Sequence, residues 1–201
     1  MKFYLFIFPI LFFTNCKLPE SEERKCAFIF PRGTDKIEFE PKEKMGELLQ
    51  YCKKHNFNEQ YGIIINFSLP SGDKRFFLCD LKTEKVLIEG LVCQGSCNGN
   101  EETLFSNVVG SGCSSLGHYK IGEKYNGDFG TAYKLYGLDD TNSNAYERFV
   151  VLHSHSCVPL KEVNYEICLS LGCPTINPNI LRAIEPILDN SAKPIIIWGI
   201  S

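Results

Sequence analysis

Two short segments hold residues able to do covalent chemistry: Val150–Cys157 (VVLHSHSC) and Ser170–Pro174 (SLGCP). The first carries His153 and the second Cys173, 20 positions later. A thiol becomes a nucleophile when a neighbouring base or cation takes or stabilises its proton, and imidazole is the usual base. Acyl transfer also needs donors aimed at the developing oxyanion. A tight turn supplies these from its backbone, and Gly172, lacking a Cβ, admits a substrate close to that backbone. By itself a histidine and a cysteine at this separation recur by chance, so the pair alone decides little.

A rival chemistry uses the same residues. His153, His155 and Cys157 fall at i, i+2, i+4, which in a strand puts all three on one face. Joined by Cys168 or Cys173 they would form a mixed N/S zinc site. The acyl-transfer reading needs no metal and no cofactor, and His155 is then a supporting or surface residue. Arg148 and Glu147 read as a surface pair without a role, and His118 and His55 as structural or exposed residues. Ser114–Gly117 reads as a loop-to-strand junction. Tyr119, Tyr125, Tyr133 and Tyr136 read more readily as core than as a peptide cleft.

The elements that must position these residues follow from hydrophobic periodicity. Met45, Leu48, Leu49 and Cys52 recur at helical spacing and predict a short helix over 45–55. Gly62–Leu69 is a buried-strand candidate, with Arg75–Leu81 and Val86–Cys93 completing a meander. Residues 94–114 are rich in Gly, Ser and Asn and predict a loop. Short strands are expected near 116–121, 132–138 and 148–153. Asn177 followed by Pro178 predicts a helix start, with the helix reaching Asp189 and Pro186 inside it. Pro194–Gly199 is a last strand.

Ordered pieces of the chain resemble the murein L,D-transpeptidase catalytic domain, the YkuD-like family. They are FSN at Phe105–Asn107, then GS…SSLG.Y..GE.Y.G, L.GLD…N.NA..R..V.H ending at His153, and S.GCP at Ser170–Pro174. The pair of strands at 78–95 resembles the entry to that domain, so the likeness spans roughly 60–201. It implies a mainly β fold, a sandwich or meander of L,D-transpeptidase type with one or two packed helices. It implies Cys173 as nucleophile, His153 as base, and Gly172, Ser154 and Ser170 as oxyanion or substrate contacts. The implied reaction attacks the L-centre carbonyl of a peptidoglycan stem-peptide diamino acid, expels the terminal D-residue and passes the acyl group to a neighbouring amine. Water in place of that amine would make an L,D-carboxypeptidase, and loss of activity would leave a murein-binding envelope lipoprotein. The chain departs from the pattern at Ser154–Cys157, where the family carries Gly and then small–Asp–Tyr. It departs again at Cys168-Leu169, where Gly-Arg is usual.

The N-terminus reads as an address. Lys2 precedes the apolar run Phe3–Phe13, too short to span a bilayer, and Cys16 follows it as the lipidated residue of a bacterial lipoprotein would. The expected organisation is a signal peptide at 1–15, a tether and short helical segment at 16–59, and the catalytic domain at 60–201. A membrane partner through a lipid anchor and a place in the cell envelope follow. Ten cysteines fit an oxidising compartment; both disulfides and buried thiols are open to them. A net charge of −3 and no basic patch exclude a nucleic-acid partner.

Overall fold

The apolar run after Gly62 has no polar alternation because both faces of its strand are covered. The protein was analysed as a computed structural model that describes residues 39–100 and 104–201. The predicted signal peptide, Cys16 and most of the tether lie outside the described residues. In β1 (Tyr61–Asn66) Ile63 and Ile65 enter the main core, while Ile64 enters a second core beneath α1 (Lys42–His55). A strand buried on both faces reads as a continuous hydrophobic run. Helix α1 covers its side with Met45, Leu48 and Cys52, packed against Ile64, Phe77, Cys79 and Ile196.

The remaining elements are β2 (Phe76–Asp80), β3 (Lys85–Gly90), β4 (Val92–Cys93), β5 (Gly117–Gly127), β6 (Gly130–Gly137), β7 (Val151–Ser154), β8 (Thr175–Ile176), α2 (Pro178–Asp189) and β9 (Ile196–Ile200). All strands join one sheet in the order β3-β2-β1-β9-β5-β6-β7-β8-β4. The β1–β9 and β7–β8 pairs are parallel and the others antiparallel. The expected strand over 86–93 is therefore two strands, β3 and β4, on opposite edges of the sheet. Only Leu91, itself buried, separates them. Opposite edges joined by one residue force the sheet to fold back on itself, which gives the layered, mainly β architecture expected from the sequence.

Inside that fold lie Phe76, Leu78, Leu135, Leu152, Ile176 and Ile197, closed by Leu181 and Ile184 of α2. Asn177 caps α2 by accepting from the Asn179 N–H at 2.8 Å, and Pro178 follows as a first-turn residue without a needed donor. Pro186 sits inside the helix without ending it.

Both fates open to the cysteines occur. Cys97–Cys113 and Cys157–Cys168 are disulfides, whereas Cys52, Cys79 and Cys93 are buried thiols. Burial raises Cys52 and Cys93 to about 11 and Cys79 to about 12, so all three are protonated packing groups at neutral pH.

Candidate active site

Parallel pairing of β7 with β8 sets His153 opposite Thr175. Carrying that register back two residues places Cys173 beside Val151. The contact agrees: the Val151 N–H donates to Cys173 Sγ at 3.4 Å, and the thiol donates to the Phe149 carbonyl at 3.6 Å. Side chains two apart in a strand share a face. Cys173, two residues before β8, and His153 on β7 therefore fall diagonally across that register. His153 is buried at 8% exposure, and Cys173 is partly exposed, as the expected nucleophile role requires.

Among the described residues no hydrogen bond joins the Cys173 thiol to either histidine. His153 is held by other groups. Its Nε2 lies 2.9 Å from Thr175 Oγ1, with the Cys173 carbonyl 3.4 Å from the same hydroxyl. Nδ1 lies 3.3 Å from the Ser154 carbonyl, which can only accept, so Nδ1 carries the hydrogen and Nε2 keeps its lone pair, accepting from the Thr175 hydroxyl. The Ser154 carbonyl thus selects the tautomer and stabilises the imidazolium. Burial holds His153 below its ordinary value, the Ser154 carbonyl opposes this, and His155 adds to the depression. The resting ring is neutral and able to take a proton.

The turn that carries Cys173 is built by Ser170. Its hydroxyl donates to the Cys173 carbonyl at 2.7 Å and accepts from the Gly172 N–H at 3.1 Å. Gly172 has φ +115°, and a Cβ there would stand 2.6 Å from the Cys113 carbonyl oxygen. Only glycine fits that approach. The Cys97–Cys113 disulfide braces the strip on which Gly172 rests, and Ser114 Oγ donates to the Gly172 carbonyl at 3.4 Å.

Arg148 is not a surface residue paired with Glu147. Its guanidinium turns inward and donates to the Ser106 carbonyl at 2.8 Å, to Ser115 Oγ at 3.0 Å and to the Cys113 carbonyl. It is the cation that faces Cys173. Burial raises the thiol, while the Val151 N–H and Arg148 pull it back. The signal for Arg148 was its place in the R..V.H piece; no periodicity marks an arginine that folds back over a loop. Thr175 carried no sequence signal, since its role depends on the parallel β7–β8 register.

The face that the rival metal reading requires does not form. β7 ends at Ser154, so His155 and Cys157 leave the strand, and Cys157 is bonded to Cys168. The His155 ring accepts from the Cys157 N–H at 3.1 Å. Phe129, at the tip of the β5–β6 hairpin, lies over His153 with ring centroids 5.2 Å apart and meets His155 edge-on. Tyr119 and Tyr133 are core residues, and Ser115 bonds the Tyr119 hydroxyl at 2.7 Å. His118 is stacked between Tyr51 and Trp198 and bonded to Asp139, which ties α1 to the sheet.

Residues 34–198 match the family of the L,D-transpeptidase catalytic domain. The chain belongs to this family. No curated protein matches it. Among solved structures, the avibactam carbamoyl enzyme of Ldtfm is similar at 13% identity and a TM-score of 0.43, over 72% of this chain and 50% of that one. The helical cell shape determining protein Pgp2 of Campylobacter jejuni is similar at 11% identity and a TM-score of 0.44, over 81% of this chain and 56% of that one. L,D-transpeptidase 1 of Mycobacterium tuberculosis is similar at 10% identity and a TM-score of 0.35, over 70% and 62%. The L,D-transpeptidase domain thus spans between 50% and 62% of the length of these solved chains. No helix among the described residues is long and apolar enough to cross a membrane.

Proposed function

We propose that this L,D-transpeptidase domain forms a Cys173 thioester with peptidoglycan stem peptides and passes the acyl group to an amine, cross-linking them. The observation that carries this is the imidazole of His153, its Nδ1–H held by the Ser154 carbonyl and its Nε2 lone pair met by the Thr175 hydroxyl, on the strand beside a partly exposed thiol. The Cys173 side chain turns from the Phe149 carbonyl toward Nε2 as the Thr175 hydroxyl swings its proton to the Cys173 carbonyl, since hydrogen bonds of resting catalytic groups often tighten only with substrate. Nε2 takes the thiol proton, and the Ser154 carbonyl and Thr175 Oγ1 stabilise the imidazolium. The thiolate attacks the carbonyl at the L-centre and forms the tetrahedral adduct. The imidazolium returns its proton to the departing D-residue amine, which leaves the thioester. An incoming amine reverses the sequence, losing its proton to Nε2 as the thiolate is expelled.

Ser170 and Gly172 shape the turn that presents the sulfur and border the reacting carbonyl. The Gly172 N–H reaches an oxyanion only when Ser170 Oγ yields it. Arg148 supports the thiolate through space. Phe129 shields the base from water. The reaction draws on no metal or cofactor. The chain is exported by residues 1–15 and anchored in the cell envelope through lipid on Cys16.

Purified muropeptides incubated with the protein and read by mass test the reaction. Cross-linked dimers that have lost one D-residue per link support transfer. Shortened monomers alone would assign water as the acceptor. Unchanged muropeptides would leave a binding protein that keeps the fold.

A further inference from the structure

A third sulfur lies against the Cys157–Cys168 disulfide. Cys93 Sγ on β4 is 3.3 Å from Cys168 Sγ, and the three sulfurs all lie within 4.8 Å of one another. Cys93 is buried, Cys168 half-buried and Cys157 exposed. Beneath Cys93 sits Arg75, the largest fully buried side chain of the described residues. Its guanidinium donates to the Val92 carbonyl at 2.8 and 3.0 Å, to the Leu69 carbonyl at 3.1 Å and to Gln94 Oε1 at 3.0 Å, all neutral oxygens. Burial holds the Cys93 thiol up at about 11 and Arg75 lowers it only in part, so the thiol rests protonated and a minor thiolate fraction is the attacking form. A thiolate next to a disulfide sulfur is the reactant pair of thiol–disulfide exchange.

We propose that Cys93, Cys157 and Cys168 form a thiol–disulfide exchange site in which the bond to Cys168 passes between Cys157 and Cys93. The Cys93 thiolate attacks Cys168 Sγ, the Cys93–Cys168 bond forms, and the Cys157–Cys168 bond breaks. Cys157 leaves as a thiolate and takes from solvent the proton that Cys93 gave up. One disulfide is present before and after, so no oxidant or reductant is consumed. Attack at sulfur proceeds along the line of the breaking bond, so Cys157, which is exposed, must swing into that line as the bond passes. The product presents Cys157 as an exposed thiol, a site for reaction with small thiol-reactive molecules.

The exchange moves a staple on the nucleophile turn. Cys168 lies just upstream of Ser170, and Cys93 pairs with Thr175 across β4–β8. Between them the Ser170 N–H donates to the Gln94 carbonyl and the Ser96 N–H to the Ser170 carbonyl, both at 2.9 Å. In one form Cys168 is tied to the exit of the His153 strand, in the other to β4.

The test is labelling of the folded chain with a water-soluble maleimide, followed by non-reducing peptide mapping. The wild type should label at Cys157 and yield a Cys93–Cys168 linked peptide. In Cys93→Ser, Cys157 labelling should slow at least tenfold, with Cys157–Cys168 as the linkage among the three. Cys157→Ser, oxidised in a glutathione buffer, should form Cys93–Cys168; this substitution is at an exposed position and spares the core. Equal Cys157 labelling in wild type and Cys93→Ser, or none in either, would overturn the proposal. So would Cys93 and Cys168 both remaining free in Cys157→Ser, or one zinc per chain protecting all three thiols.

Discussion

Replacing Thr175 by Val removes one hydroxyl and keeps the β-branched shape that pairs in β8. In the native site that hydroxyl meets His153 Nε2 at 2.9 Å in a buried setting. It donates to the neutral ring and, once Nε2 has taken the thiol proton, turns its own proton to the Cys173 carbonyl 3.4 Å away and accepts from the new N–H. A buried donor left without a partner costs about 1–3 kcal/mol. Losing about 1–2 kcal/mol of support for the imidazolium slows acylation about 5- to 30-fold. The assay is the rate of mass gain on Cys173 with a β-lactam of the carbapenem class, the substrate mimic the family resemblance implies. Thr175→Ser restores the hydroxyl and should recover most of the rate. A Thr175→Val chain that acylates at the wild-type rate would refute this argument, as would equal defects in the Val and Ser variants.

Four further outcomes can be measured. Arg148→Gln withdraws the cation that lowers the Cys173 thiol, so the alkaline rise of the acylation rate should move to higher pH, while Arg148→Lys should move it less. On the acid side, the depressed His153 should hold the rate until the pH falls below the ordinary imidazole range, since the base is lost only when it is protonated. Gly172→Ala places a Cβ 2.6 Å from the Cys113 carbonyl at φ +115°; strain of about 1–3 kcal/mol should lower the melting midpoint by roughly 2–4 °C per kcal/mol, read by calorimetry. Mass analysis of the N-terminal peptide from cells should show acyl groups on Cys16, and an unmodified N-terminus beginning elsewhere would contradict the anchor.

The parts of the fold legible in the sequence were those with a periodic signal. The apolar spacing from Met45 to Cys52 marked α1, although the structure begins it at Lys42, where polar residues carry no such signal. The Asn-Pro cap marked the start of α2. Gly62–Leu69 announced a strand covered on both sides. The meander over 86–93 was misread because only Leu91 separates β3 from β4; which edge each joins is decided by long-range pairing. The two-residue β8 was invisible for the same reason, and with it the role of Thr175. Cys173, His153, Ser170 and Gly172 were legible as types in a pattern, but how the base is held was not. The rival metal reading needed His155 and Cys157 on the strand face with His153, but the strand ends before them and a disulfide claims Cys157.

The most direct measurement is the intact mass of the protein during turnover of a tetrapeptide muropeptide donor, with peptide mapping of any adduct. The account predicts a transient acyl adduct on Cys173, equal in mass to the donor less its terminal D-residue and a hydrogen of the thiol. It should be absent in Cys173→Ala and strongly slowed, about 10²-fold or more, in His153→Ala. Removing the ring of His155 should change the rate much less. An adduct on another residue, or turnover that persists in Cys173→Ala, would contradict the account.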